Sequence, residues 1–135
     1  MGFWIFMVVM ILLIPVSMIV LGRRLQKNPP ENINLLYGYR TTRSLKNQDT
    51  WIFANQFIGA VWSIFGSALL PATILPMFFV IGKDVRTVGL FGLAMVGIQF
   101  IPMITSVFLT EHALKKTFDD EGNRRFPVKE NPEDH

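Results

Sequence analysis

No cysteine occurs among the 135 residues, which excludes disulfides and thiolate metal sites and leaves no thiol for palmitate or a prenyl group. Histidine is scarce, and neither His112 nor the short run Asp119-Asp120-Glu121 has the ligand spacing of a zinc or calcium motif. No metal and no cofactor is therefore expected. Charge is missing from three long stretches, Phe3 to Leu21, Ile58 to Ile81 and Val88 to Leu109, which hold no Asp, Glu, Lys, Arg or His. A proton-coupled membrane carrier needs a carboxylate within the bilayer, so that mechanism is disfavoured. Nothing resembles a Ser–His–Asp set or a phosphate-cradling glycine loop, and an enzyme is not expected.

What is present is apolar. Half of the chain is hydrophobic, with twelve Phe. The three uncharged blocks run 19, 24 and 22 residues, against about 20 needed to cross roughly 30 Å of hydrocarbon as a helix. The expected fold is an all-α integral membrane protein with spans at about 3–21, 58–81 and 88–109. The remaining segments are too short to bury a core of their own. Residues 1–122 are read as one membrane domain and 123–135 as a disordered tail. The first block is followed by Arg23 and Arg24 rather than preceded by basic residues, so it reads as a retained anchor and not a cleaved signal.

The net charge of +3 reflects orientation and not nucleic-acid binding. Six cations sit between the first two blocks (Arg23, Arg24, Lys27, Arg40, Arg43, Lys46) and five follow the third (Lys115, Lys116, Arg124, Arg125, Lys129), against Lys83 and Arg86 alone in the other turn. By the positive-inside rule this predicts a cytoplasmic loop at 23–50, a cytoplasmic C-terminus and an N-terminus outside.

Pro29 and Pro30 end the first helix. Ser44 is a candidate N-cap for the second, which is expected to run from Leu45, with Leu45 to Gln56 as an interfacial lead-in carrying Trp51, Phe53 and Phe57 at headgroup level. Asn55, Gly59, Ser63, Gly66 and Ser67 recur at spacings of three and four, a small and polar stripe suited to close helix packing, with hydroxyls able to bond across it. Pro71 and Pro76 predict a kink. In the third helix Gln99 lies near mid-membrane, where an interhelical hydrogen bond is its ordinary use, and Glu111 with Lys115 reads as an i,i+4 pair.

The segment Asn34-Leu-Leu-Tyr-Gly-Tyr-Arg-Thr-Thr-Arg-Ser-Leu-Lys-Asn-Gln-Asp-Thr-Trp-Ile-Phe-Ala-Asn55 has a distinctive spacing. Asn34, Gly38, Arg40, Thr41, Ser44, Leu45, Trp51 and Asn55 resemble, without a gap, the signature of the SdpI family, bacterial membrane proteins named for immunity to the SDP killing peptide. Thr42 stands where a proline commonly follows Arg-Thr, and the resemblance corresponds to the second half of the longer founding member. It implies a protein of the bacterial inner membrane that protects against or senses a membrane-active peptide toxin, with a cytoplasmic regulator as a further partner of the loop. Asn34, Gly38, Arg40, Thr41, Trp51 and Asn55 become candidate binding residues. Their residue types equally suit a loop that is merely tied to the helix ends. An accessory subunit that packs against a transporter or membrane enzyme through Gly59, Ser63, Gly66 and Ser67 is the alternative. A lipid or solute pathway formed by an oligomer is a third.

Overall fold

The computed structural model describes residues 2–34 and 38–125. They form three helices: α1 at Gly2–Lys27, α2 at Gln48–Met77 and α3 at Val85–Thr117. All three are long and apolar enough to cross a membrane, and the chain is a multi-pass membrane protein. Large side chains such as Phe79, Leu93 and Phe108 face outward at 67–80% exposure. That outward apolar surface is stable in lipid and would not be in water.

The second helix starts later than its sequence suggests. Asn47, not Ser44, is the N-cap: its side chain accepts from the Thr50 amide while the Thr50 hydroxyl accepts from the Asn47 amide. Both first-turn donors are thereby satisfied. Ser44 is instead buried in a tight turn, where its hydroxyl accepts from the Thr41 amide at 2.8 Å and its carbonyl accepts from Thr50 Oγ1 at 3.0 Å. From Gln48 the helix runs unbroken through Pro71 and Pro76 and tightens into a 3-10 turn at Phe78–Val80. At 1.5 Å per residue the 33 residues Gln48–Val80 reach about 50 Å, well beyond the hydrocarbon thickness. The expected lead-in thus includes the first turns of the same helix, with Trp51, Ala54 and Asn55 buried on one side and Gln48, Asp49 and Gln56 exposed on the other.

α1 and α2 meet most closely at glycine. A Cβ on Gly59 would lie 2.6 Å from the Gly22 carbonyl and the Gln26 amide, and one on Gly66 2.9 Å from the Pro15 carbonyl. Small residues let helix backbones approach in lipid, where there is no water to expel. α3 closes the bundle at two levels. Ile11, Met77, Val80, Val88 and Met95 cluster toward the short-turn end, and Ala54, Leu114 and Phe118 toward the loop end. Between them Gln99 joins all three helices, its Nε2 donating to the Ile11 carbonyl at 2.9 Å and to Thr73 Oγ1 at 3.0 Å.

The start of the expected tail is folded back. Gly122 takes φ +88°, a conformation that favours glycine, and its carbonyl accepts from Asn47 Nδ2 at 2.7 Å. Asp119 Oδ1 accepts from the amides of Glu121 and Asn123. Arg124 forms a two-pronged pair with Asp49 at 2.7 Å and lies over the Phe118 ring. Asn123 and Arg124, at the start of the expected tail, are thus in contact with the helix ends. Residues 126–135 lie outside the described residues.

Candidate functional site

The signature residues converge on the loop-bearing end of the bundle. Trp51 and Asn55 lie one helical turn apart on α2, and both are fully buried. Asn55 Nδ2 donates to the Trp51 carbonyl at 2.8 Å, which turns its Oδ1 toward the loop. That oxygen accepts from the Tyr39 amide at 2.6 Å. Trp51 sends its indole N–H to the Pro30 carbonyl at 2.7 Å. The first half of the loop is thus held by Trp51 and the second half by Asn55. Trp51 is not the lipid-facing anchor that its type and position suggest: the loop covers it.

Gly38 is required at this closure twice over. Its φ is +107°, and a Cβ there would stand 2.7 Å from Asn55 Oδ1 and 3.1 Å from the Trp51 ring. A side chain would meet both the backbone conformation and the latch. Thr41 continues the turn, its Oγ1 accepting from the Ser44 amide at 3.3 Å. Asn34 bonds back to the Asn32 carbonyl at 3.2 Å. Leu35, Leu36 and Tyr37 lie outside the described residues.

No sequence signal singles out Tyr39, although it sits between Gly38 and Arg40. Its backbone is fixed by α2, and its hydroxyl donates to Glu111 Oε1 on α3 at 2.6 Å. Burial, and then the hydrogen bond and charge of Glu111, push the Tyr39 hydroxyl well above its usual range. Glu111 also faces Arg43 at 3.9 Å, and Arg43 reaches Asp120 at 3.6 Å. The i,i+4 pairing with Lys115 is replaced by these partners because the loop folds over α3. His112 is exposed beside this group, and no cluster suited to a metal ion occurs among the described residues.

The small stripe of α2 is already in use. Gly59 and Gly66 are covered by α1, where Gly22 makes the matching close approach to the Gly59 carbonyl and the Ser63 amide. The hydroxyls do not bridge helices: Ser63 donates to the Gly59 carbonyl at 2.9 Å and exposed Ser67 to the Ser63 carbonyl at 2.7 Å. Such back-bonding satisfies a hydroxyl within its own helix. The cross-helix bond comes from Trp62, which donates to Ser106 Oγ on α3 at 2.8 Å. Beside Trp62, the loop, α1 and α2 line a half-open pocket of about 300 Å³ whose lining includes Leu21, Ile58, Tyr39 and Arg40.

Comparison with known proteins agrees with the signature. No solved structure matches the chain. An uncharacterized protein, YfhL of Bacillus subtilis (strain 168), is 39% identical over 49 residues, which is 36% of this chain and 44% of that protein. The chain therefore spans less than half of that relative in the match. Residues 31–110 match the SdpI/YfhL protein family, a stretch that holds the whole latch from Asn34 to Asn55 and continues along α3 to the residue before Glu111, and the chain belongs to that family.

Proposed function

We propose that this SdpI-family membrane protein resides in the bacterial inner membrane, where it protects against or senses a membrane-active peptide toxin and signals through its loop. The observation that carries this reading is the position of Tyr39. It is bonded through its amide to Asn55 on α2 and through its hydroxyl to Glu111 on α3. A peptide that presses α2 and α3 apart within the bilayer strains that junction directly, and the loop is then the element that changes. The eleven cations of the loop-bearing end against two at the other support a cytoplasmic loop and C-terminus, where a regulator could meet them. The accessory-subunit reading has less support, since α1 already covers Gly59 and Gly66 on the stripe such a subunit would use.

The test is survival of sensitive bacteria that express the native chain, Arg40→Ala or Tyr39→Phe at equal membrane level, across a panel of membrane-active peptides. Protection by the native chain and its loss in the variants is the expected result. Absence of protection against every peptide would overturn the immunity reading, and a pull-down for a membrane partner would then decide for the accessory subunit.

A further inference from the structure

The 300 Å³ pocket lies at a defined level of the bundle. Its lining includes Leu21, which closes the first uncharged block, and Ile58, which opens the second. It therefore straddles the boundary between the bilayer-length apolar segments and the polar end. Leu21, Leu25, Ile58 and Trp62 make its walls apolar, and the indole N–H of Trp62 is already committed to Ser106. Arg40 is the charged residue in the lining, and it is exposed. Arg24, three positions after Leu21 on α1 and exposed, is a second cation on the Leu21 side of the pocket mouth.

We propose that this pocket holds an anionic phospholipid, its phosphate against Arg40 with Arg24 alongside, and the first part of an acyl chain along Leu21, Ile58 and Trp62. Apolar walls below a cationic mouth match a lipid in both charge and polarity. A guanidinium offers a planar fork of donors to phosphate oxygens. The ligand is already concentrated at this depth, so it enters by lateral diffusion from the bilayer. The inference stands apart from the toxin reading, because lipid retention and bacterial survival are separate measurements.

The experiment uses the full chain in nanodiscs of equal phosphatidylglycerol and phosphatidylcholine, with native mass spectrometry to weigh the lipid that stays bound. The expected result is a preference for phosphatidylglycerol of about fivefold per contacting cation. Arg40→Gln should remove most of that preference. Leu21→Trp, which fills the pocket and leaves the charges in place, should lower retention of phosphatidylglycerol. Arg86→Gln, at the other end of the bundle, should change neither. Thermal unfolding in detergent identifies which variants remain folded. Equal retention of the two lipids by the native chain would overturn the proposal, as would unchanged retention in whichever of Arg40→Gln and Leu21→Trp is folded. A peptide in place of phospholipid on protein drawn directly from cell membranes would overturn it as well.

Discussion

The side-chain oxygen of Asn55 accepts the Tyr39 amide at 2.6 Å across sixteen positions of sequence, and this bond joins the loop to the second membrane helix. It depends on Trp51, whose carbonyl holds the Asn55 amide group and whose ring lies under Gly38. Three signature positions thereby become one structural device, and the loop they close carries Tyr39 to α3.

Removing the acceptor should be costly. Asn55→Ala leaves the Tyr39 amide without its partner in a covered position, and a loss of about 1–3 kcal/mol is expected. Asn55→Asp keeps an acceptor oxygen and should lose less at low pH, where the carboxyl is neutral. Thermal unfolding in detergent measures both.

Glycines on one helix surface should respond oppositely to those on another. Gly59→Ala brings a methyl to 2.6 Å from two backbone atoms of α1, and overpacking of this kind costs about 1–3 kcal/mol. Gly97→Ala meets nothing within 4 Å and gains helix propensity of about 1 kcal/mol. The first should lower the unfolding temperature and the second raise it. Equal effects would remove the close α1–α2 approach as an explanation.

Tyr39 supplies a dependence on pH. Its hydroxyl is held above the ordinary value near 10 by burial and by Glu111. The folded chain therefore keeps a proton that the unfolded chain releases. The resulting stabilisation is complete below about pH 10 and is lost as pH rises above it. In a Tyr37→Phe background, tyrosinate absorbance should appear later for the folded chain than for the unfolded one. Glu111→Gln should move it back down. Tyr39→Phe should abolish this part of the alkaline loss of stability.

Gln99 is buried at the three-helix junction, yet its substitution should be mild. Its Nε2 donates to two partners, while its Oε1 has none among the described residues. Side-chain hydrogen bonds between membrane helices average about 0.6 kcal/mol. Gln99→Leu removes two such bonds together with an unsatisfied acceptor, and a net change within about 1 kcal/mol is expected in detergent unfolding. A large loss would mean that the amide does more than tie the helices together.

The closure of the loop is largely legible in the sequence. The spacing from Asn34 to Asn55 marked the loop, and Gly38, Thr41, Trp51 and Asn55 do take part in closing it. What the spacing could not convey was the direction of each contact. Trp51 has the residue type of a membrane-interface anchor, but its indole turns inward to the Pro30 carbonyl. Ser44 has the type of an N-cap, and so has Asn47. The choice between them fell to Asn47 because Thr50 completes a capping box there, while Ser44 is needed by the turn at Thr41. Glu111 had a plausible neighbour in Lys115, and lost it to a tyrosine 72 residues away.

The sequence by itself determined the three spans, because an uncharged apolar block of about twenty residues has one favourable environment and must satisfy its backbone internally there. It also determined which end of the bundle is basic. Only the tertiary structure decided the polar partnerships that hold that end together: Tyr39 with Glu111, Asn47 with Gly122, Asp49 with Arg124, and at mid-bundle Gln99 with Ile11 and Thr73. Hydrophobic block length is a property of neighbouring residues and can be read locally. A hydrogen bond between residues 26 to 88 positions apart depends on how the helices and the loop come together, as α1 and α2 do at Gly22, Gly59 and Gly66.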